Sequence, residues 1–192
     1  SLRVATFCAE PTSPAVQQFG MELMTPQYIN SYWATEHGGM VWTHFYGNAD
    51  FPLHADAHTY PLPWIAGDVW IEDAGAEGRI TVPHPRDATA PGVAPGVTWR
   101  AAAAEEKGEI VIAAPYPYLA RTVWGDAEGF RVEPGAPGAP GAPGSSGLRV
   151  QVGWRGDGKR WVSTYWTRWR GAWAYTQGDF AVRYADGSFS LH

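Results

Sequence analysis

The beginning of the chain carries a strand, a helix and a second strand in succession, and this order limits the possible folds more than any other feature. Residues 2–7 show a strand pattern, and Ser13 followed by Pro14 is a favourable helix start, at the cap and at the first position. Thr25-Pro26 ends that helix, and residues 28–31 form the second strand. A β–α–β succession predicts two parallel strands covered by a helix, the edge of an α/β sheet.

The pattern changes from residue 51 onward, where glycine and proline separate short strands. These strands are predicted at residues 68–71, 79–82, 109–112, 148–152, 172–175 and 180–184, before the Asp186-Gly187 turn and a last strand. Regularly spaced short strands indicate a small barrel or sandwich. We therefore expect an α+β fold, in which residues 1–50 form the edge of the α/β sheet and residues 51–192 form a β-barrel-like subdomain.

Residues 134–147 repeat Gly-Ala-Pro and end in Ser-Ser-Gly. A few such triplets, without a hydroxyproline-rich context, cannot hold a collagen triple helix. We expect this segment to be a flexible, solvent-exposed insertion that separates two strands of the β-rich subdomain.

The composition is that of a globular protein and excludes several functional classes. The 192 residues are 45% hydrophobic and 17% charged. A formal net charge of −5 argues against a nucleic-acid-binding protein, which would present a basic surface. The single Cys8 cannot form an internal disulfide, and no apolar run is long enough to span a membrane. We expect a cytoplasmic protein without nucleic-acid or membrane partners.

The octapeptide Tyr32-Trp33-Ala34-Thr35-Glu36-His37-Gly38-Gly39 follows the second predicted strand, and its glycines indicate a loop. A threonine hydroxyl and a glutamate carboxylate side by side at a strand end suit a phosphate–magnesium complex, because Mg²⁺ takes oxygen ligands and retains waters and substrate phosphates. A Thr-Glu pair by itself more often lines a turn, so the pair alone leaves both interpretations open.

Four stretches in the same order resemble the acetyl-CoA and propionyl-CoA synthetases, which are adenylate-forming acyl-CoA synthetases. The octapeptide resembles their Trp-Trp-Gln-Thr-Glu-Thr-Gly-Gly motif, and Ala9-Glu10-Pro11 resembles their adenine-binding Gly-Glu-Pro turn. Residues 120–126 resemble Ala-Arg-Thr-(aromatic)-Gly-Asp, and residues 175–179 with 186–187 resemble (aromatic)-x-(Ser/Thr)-Gly-Asp…Asp-Gly. Residues 28–70 look closest to the synthetase module of propionyl-CoA synthase.

The resemblance implies an enzyme that joins a small carboxylic acid to coenzyme A. The acid would attack the α-phosphate of ATP to give an acyl-adenylate and pyrophosphate, and the thiol of coenzyme A would then displace AMP. The expected substrates are ATP, CoA and a short acid such as propionate or 3-hydroxypropionate, with Mg²⁺ as the cofactor. Such chemistry asks the protein mainly for positioning and charge neutralisation.

The same resemblance implies roles for individual residues of a nucleotide site. Thr35 would contact the α-phosphate or the acyl carboxylate, and Glu36 would hold Mg²⁺. Asp179 would accept hydrogen bonds from both ribose hydroxyls, a task suited to an ionised carboxylate. The other expected nucleotide-binding residues are Ala9, Glu10 and Pro11 along the adenine, Asn30 at its amino edge, and Ser31.

The resemblance also implies an acyl pocket formed by Tyr32 and Trp33. A rigid indole at the closed end of that pocket would leave room for two or three carbons and would reject longer acids sterically. Among the departures from the family pattern, Ala9 replaces glycine, His37 replaces threonine, and Gln177 replaces serine or threonine.

Several catalytic parts of the family have no counterpart in this sequence. The phosphate loop would lie upstream of Ser1, and the hinge and the catalytic lysine of the small C-terminal domain would lie beyond His192. We therefore expect the chain to be a piece of the large N-terminal domain, inactive by itself, whose partner is the remainder of the same polypeptide.

Two other functions stay open at this point. The eleven tryptophans, and above all Trp161, Trp166, Trp169 and Trp173, suit a non-catalytic β-rich binding module that stacks sugars on exposed rings. A different adenylating reaction on the same fold, such as acyl transfer to a carrier protein, is the third hypothesis, and Trp33 argues against it for bulky acids.

Overall fold

The computed structural model describes residues 2–73, 97–123, 130–132, 149–151 and 156–192. The chain divides into two compact units, one formed by Ser1–Ala120 with Tyr165–His192 and the other by Arg121–Thr164. The boundary predicted at residue 50 therefore lies inside the first unit. The predicted insertion at 134–147 and the predicted strand at 79–82 lie outside the described residues.

The first unit begins with the predicted strand–helix–strand succession. Strand β1 (Ala5–Phe7) and strand β2 (Tyr28–Asn30) pair in parallel, and helix α1 (Pro14–Leu23) lies between them in the chain. The Ser13 hydroxyl accepts the Val16 N–H at 3.4 Å and so caps the helix. The predicted helix and the predicted parallel pair are confirmed, although both strands are shorter than predicted.

Helix α1 packs on β2 through two small or polar residues. A Cβ added at Gly20 would lie 2.4 Å from the Tyr28 ring, so only glycine allows this close approach. The Gln17 side chain is fully buried, donates to the Tyr28 carbonyl at 3.1 Å and accepts the Ala57 N–H at 2.6 Å. These contacts tie the helix, the parallel strands and the following loop into one body.

The other strands of the chain are short and mostly antiparallel to their neighbours. They are β3 (Trp42–Thr43), β4 (Tyr60–Pro61), β5 (Gly67–Glu72), β6 (Trp99–Ala101), β7 (Glu106–Ile112), β8 (Phe130–Val132), β9 (Arg149–Gln151), β10 (Tyr175–Arg183) and β11 (Phe189–Leu191). Strand β3 pairs with β4, and β8 pairs with β9 in the second unit. The remaining five strands form an antiparallel sheet in the order β11-β10-β7-β5-β6.

Strands β6 and β11 are the edges of this five-stranded sheet. In the part of the chain that the structure describes, they do not pair with each other. A barrel requires such a closing pair, because only full closure removes the sheet edges. The barrel-like subdomain therefore stays a prediction.

Strand β10 is a single strand where two were predicted, at 172–175 and 180–184. Its pairing with β7 shifts register between Thr176 and Phe180. Gly178 lies in this interruption with a φ of +86°, a conformation that favours glycine. The ladder with β7 therefore omits Gln177 and Asp179, and this break positions both side chains for the site described below.

Helix α2 (Gly158–Tyr165) is not among the predicted elements. The Asp157 carboxylate accepts the Arg160 N–H at 2.8 Å, which is a helix-capping contact. Because Asp-Gly is also a common turn sequence, this start signal is ambiguous in the sequence. Tyr165, the last residue of α2, belongs to the first unit.

Stacked aromatic rings form the core beneath the five-stranded sheet. The rings of Trp70 and Trp99 stack with centroids 3.5 Å apart, and Trp169 meets Trp70 edge-on at 5.8 Å. Val111 and Ala174 complete this buried cluster. Indole rings bury large areas and favour such stacked and edge-to-face geometries, so this cluster is a strong source of stability.

We expect Gly108→Ala to destabilise the protein by about 1–3 kcal/mol. Gly108 lies in β7, and a Cβ there would lie 2.6 Å from the Trp70 carbonyl oxygen, a backbone atom that the sheet holds in place. Urea unfolding followed by tryptophan fluorescence measures the change. Gly158→Ala is the control, because a Cβ at Gly158 meets open space. Equal effects of the two substitutions would contradict the close packing of β7 against β5.

Candidate functional site

A cavity of about 130 Å³ lies in the first unit, where the segments that follow β1 and β2 meet strands β10 and β11. Its walls come from four separate parts of the sequence. The lining residues are Ala9, Glu10, Pro11, Tyr32, Trp33, Asp179, Phe180, Leu191 and His192. Six of the ten predicted site residues are among them, so the structure brings most of the predicted nucleotide site and acyl pocket together.

The parallel pairing of β1 with β2 builds one side of the cavity. Parallel strands end at the same edge of a sheet, and this edge is where ligands bind in open α/β sheets. Phe7 lies opposite Asn30 at that end, so the turn that starts at Ala9 lies beside Tyr32. Ala9 has a φ of +83°, a left-handed conformation that costs a non-glycine residue about 1–2 kcal/mol. The position therefore suits glycine, the residue of the family pattern.

A hydrogen bond between residues 147 positions apart builds the other side. The Tyr32 hydroxyl donates to Asp179 Oδ2 at 2.6 Å. Burial raises the pKa of Tyr32 far above its usual value, and the hydrogen bond to Asp179 raises it further, so the hydroxyl remains a donor at neutral pH. Asp179 is exposed, and within the described residues its Oδ1 accepts no hydrogen bond. One carboxylate oxygen is therefore left for the hydroxyl of a ligand.

Trp33 lies on the wall of the cavity and is 43% exposed. Its indole N–H donates to Cys8 Sγ at 3.3 Å, which fixes the direction of the ring. These contacts of Trp33 do not by themselves close the end of an acyl pocket. The acyl-selecting role of Trp33 therefore stays a prediction.

His37 stabilises the short 3₁₀ turn that contains Thr35 and Glu36. It is 1% exposed, and its Nδ1 accepts the Ala34 N–H at 3.0 Å. Its ring packs edge-on against Tyr32 and Tyr175, with centroids 5.5 and 5.1 Å away. Burial lowers the pKa of His37 to about 4, although two nearby carboxylates act in the opposite direction. His37 is thus a neutral, structural acceptor at pH 7.

Two hydrogen bonds from residues outside the same 3₁₀ turn bind its backbone carbonyls. The Tyr116 hydroxyl donates to the His37 carbonyl at 3.1 Å, and the Ala120 N–H donates to the Glu36 carbonyl at 2.9 Å. Ala120 begins one of the four family-like stretches, so the structure brings the start of that stretch to the octapeptide. Residues 124–126 of the stretch lie outside the described residues.

The Glu36 carboxylate receives one neutral donor on each oxygen. The Tyr165 hydroxyl donates to Oε1 at 2.8 Å, and Gln177 Nε2 donates to Oε2 at 3.1 Å. In the described part of the chain, no lysine or arginine forms an ion pair with Glu36. Neither Glu36 nor the exposed Thr35 lines the cavity. Strand β10 links the two places, because it carries both Gln177 and Asp179.

The Glu36 carboxylate, as a single oxygen ligand, suits a magnesium ion that arrives with a nucleotide. Among the described residues, no three histidine, cysteine, aspartate or glutamate side chains cluster as a ready-made metal cage. Mg²⁺ is usually bound through one or two carboxylates together with waters and substrate phosphates. Glu36 would hold the ion, and the ion would supply positive charge to the phosphates.

Asn30 and Ser31 lie away from the cavity. Asn30 is 1% exposed and its Nδ2 donates to the Ala57 carbonyl at 2.6 Å. Ser31 is fully buried, and its hydroxyl shares a hydrogen bond with the Thr43 hydroxyl at 2.8 Å. Each side chain has a hydrogen-bond partner within the protein, and their predicted nucleotide contacts stay predictions.

Trp161, Trp166, Trp169 and Trp173, the four tryptophans of the predicted stacking cluster, do not form an exposed surface. Trp161, Trp166 and Trp169 are each at most 5% exposed, and Trp173 is half-buried with its ring stacked on Trp166. A sugar-binding module needs solvent-exposed rings. These four rings therefore do not provide the exposed stacking surface that the carbohydrate-binding alternative predicted for them.

Comparison with known proteins yields distant relatives. No family model matches the chain. Acetyl-coenzyme A synthetases of Pyrobaculum arsenaticum and Pyrobaculum aerophilum are each 24% identical to it over 190 residues, which make up 97% of this chain. An acetyl-coenzyme A synthetase of Helicobacter pylori is 26% identical over 133 residues, or 68% of this chain. The chain is a distant relative of the acyl-CoA synthetases.

This relationship to the acyl-CoA synthetases covers nearly the whole chain but little of the relatives. The chain spans 20% of the length of the Pyrobaculum proteins and 16% of the Helicobacter protein. The finer resemblance to propionyl-CoA synthase stays a prediction. In the described part of the chain, no helix has the length and apolar character needed to cross a membrane.

Several residues of the site were not predicted to act there. Phe180 and His192 line the cavity, and Tyr165 binds Glu36. Gln177 stood out only as a departure from the family pattern. Phe180 could have been found because it follows Asp179 directly, whereas Tyr165 lies 129 positions from Glu36 and carries no motif.

The acid sensitivity of the protein should depend on His37. The pKa of His37 is about 4 in the folded chain and about 6.5 in the unfolded chain. The contribution of His37 to the free energy of unfolding is therefore complete above pH 6.5 and is lost as the pH falls toward 4. We expect the free energy of unfolding to fall by about 3 kcal/mol over this range because of His37. Urea unfolding at pH 7, 6, 5 and 4.5 should show a shallower fall for His37→Gln. The exposed His54→Gln is the control, and a wild-type pH slope in His37→Gln would contradict the assignment.

Proposed function

We propose that this chain supplies the nucleoside cavity and the magnesium-binding carboxylate of an ATP-dependent short-chain acyl-CoA synthetase. The enzyme would convert an acid, ATP and CoA into acyl-CoA, AMP and pyrophosphate through an acyl-adenylate. It would carry its phosphate loop and its C-terminal lid on further polypeptide, and it would work in the cytoplasm. The distant acetyl-coenzyme A synthetase relatives support the reaction class.

The cavity is the observation that carries this proposal. It unites the Ala9-Glu10-Pro11 turn with Asp179, two motifs at opposite ends of the sequence that the resemblance implies for adenine and ribose. A carboxylate with one available oxygen suits a sugar hydroxyl. Tyr32 keeps that carboxylate oriented through its hydroxyl.

The chemical work of these residues would be placement and charge control. Asp179 and the Ala9 turn would fix the nucleoside, and Thr35 would offer its exposed hydroxyl to the α-phosphate or to the attacking carboxylate. A magnesium ion on Glu36 would neutralise phosphate charge. Positioning two reactants and compensating charge account for most of the rate in transfers at phosphorus.

The acid is proposed to be propionate or 3-hydroxypropionate. Tyr32 and Trp33 line the same cavity as the Ala9 turn. The Trp33 indole is held by its contact with Cys8. A large, fixed ring leaves little length for an acyl chain, which favours short acids.

Acid-dependent ATP–pyrophosphate exchange tests the adenylation step. We expect the natural polypeptide at its full genomic length to catalyse exchange with propionate or 3-hydroxypropionate and not with octanoate. Glu36→Ala should abolish exchange, because the magnesium ion would lose its protein ligand. Asp179→Asn should raise the KM for ATP about tenfold to a hundredfold, as expected when hydrogen bonds to a charged group are lost.

Asp186→Asn is the matched control for Asp179→Asn. Asp186 also accepts a tyrosine hydroxyl, that of Tyr60 at 3.2 Å, but does not line the cavity. Its substitution should leave the KM for ATP unchanged. Exchange with none of the acids, or equal KM values for the two asparagine variants, would refute the proposed nucleotide site.

Chain-length selection is tested at Trp33. We expect Trp33→Ala to raise the ratio of kcat/KM for octanoate over propionate at least about tenfold, because each methylene accommodated contributes about 1–3 kcal/mol. The exposed Trp64→Ala is the control, since Trp64 does not line the cavity. An unchanged ratio in Trp33→Ala would show that another residue limits the acyl chain.

A further inference from the structure

The carboxylates of the first unit fall into two kinds according to their partners. Glu109 is 5% exposed and is neutralised by Arg168, whose Nε lies 3.0 Å from Oε2. Glu106 is paired with Arg100, and Asp68 with Arg183 at 3.3 Å. In each of these pairs a guanidinium compensates the carboxylate charge.

Glu36 belongs to the other kind. Its two oxygens accept hydrogen bonds from a phenol and from an amide, and among the described residues no cation lies in salt-bridge range. Neutral donors fix the position of a carboxylate without cancelling its charge. A group held in this way keeps its affinity for a cation that arrives from solution.

The Gln177 side chain gains little stability of its own in this place. Its Nε2 donates to Glu36 at 3.1 Å, but its Oε1 is buried and accepts no hydrogen bond from any described residue. A buried acceptor without a donor destabilises a fold by about 1–3 kcal/mol. The opposite amide orientation would place Oε1 against the carboxylate and lose the only hydrogen bond. The hydrogen bond to Glu36 is therefore the contribution of the Gln177 side chain.

Tyr165 holds the other oxygen and is itself held by aromatic packing. Its ring stacks on Tyr175 with centroids 5.2 Å apart and an interplanar angle of 18°. Tyr175 in turn packs edge-on against His37, which fixes the turn that carries Glu36. The carboxylate is thus clamped by Tyr165 on one oxygen and by Gln177 of β10 on the other.

We propose that Tyr165 and Gln177 are positioning residues for Glu36, which clamp its carboxylate with neutral hydrogen bonds so that it binds the divalent cation of a metal–nucleotide substrate. This inference rests on the proposed function. It assigns a role to the position where the family pattern has serine or threonine and this chain has Gln177.

Binding of Mn²⁺ to the natural polypeptide at its full genomic length tests the clamp. Electron paramagnetic resonance measures the Mn²⁺ Kd in the presence of α,β-methylene-ATP, without turnover. We expect Gln177→Met and Tyr165→Phe each to raise this Kd about tenfold, the usual effect of losing a partner of a metal ligand. Glu36→Gln should raise it more, and Gln177→Met in the Glu36→Gln background should add nothing further, because Gln177 acts through Glu36.

Two control variants remove the same chemical groups elsewhere. Gln18→Met removes an amide that donates to the Glu22 carboxylate at 3.0 Å on the surface of α1, and Tyr60→Phe removes the hydroxyl that donates to Asp186. Both should leave the Mn²⁺ Kd within about twofold of the wild type. Urea unfolding separates positioning from structure, because Gln177→Met should not lower the stability while it weakens Mn²⁺ binding.

The outcomes distinguish this inference from the proposed function. Mn²⁺ binding that depends on Glu36 but is unchanged in Gln177→Met and Tyr165→Phe would overturn the clamp and leave the proposed function standing. A Kd that is unchanged in Glu36→Gln would overturn both. Loss of stability in Gln177→Met in proportion to its loss of Mn²⁺ affinity would reduce the residue to a structural role and overturn the inference.

Discussion

The interruption of the β10–β7 ladder is the constraint on which the candidate site depends. Strand β10 lies inside the five-stranded sheet, where every residue would normally pair with a neighbour. The register shift around Gly178 frees Gln177 and Asp179 from that ladder, and each then binds the octapeptide, one through Glu36 and one through Tyr32.

The carboxylates of the candidate site and those paired within the sheet have different partners. Within the sheet, carboxylates such as Glu109 are paired with arginine, which satisfies a buried charge but removes its attraction for other cations. At the site, Glu36 and Asp179 receive hydrogen bonds only from neutral donors among the described residues. The protein thus keeps two negative groups chemically available, one suited to a metal ion and one to hydroxyl groups.

Aromatic residues serve both the core and the candidate site, and the burial of each ring decides which of these roles it has. Trp70, Trp99 and Trp169 stack in the core, where their large surfaces stabilise the sheet. Trp33 remains half-exposed on the cavity, and Tyr32 uses its ring for packing and its hydroxyl for Asp179. A high tryptophan content therefore does not by itself indicate a carbohydrate-binding surface.

Local signals in the sequence were enough to predict the first β–α–β segment, and the resemblance to the acyl-CoA synthetases implied six of the nine residues that line the cavity. The Ser13-Pro14 start acts within one turn of helix, and the parallel pairing of β1 with β2 follows from the order of adjacent elements. The Ala9 turn and Asp179 were recognised as short motifs. Neither the α2 start at Asp157 nor the continuity of β10 was predicted, because Asp-Gly and Gly-Asp read equally well as turns.

Tertiary structure alone decided how these pieces cooperate. The donors of Glu36 lie 129 and 141 positions away, and their choice depends on where Tyr165 and the interruption of β10 come to lie in the first unit. Burial likewise made His37 a neutral acceptor. Sequence by itself determined the chemical groups and the local turns, whereas three-dimensional packing determined which groups meet, because such contacts depend on the placement of distant elements.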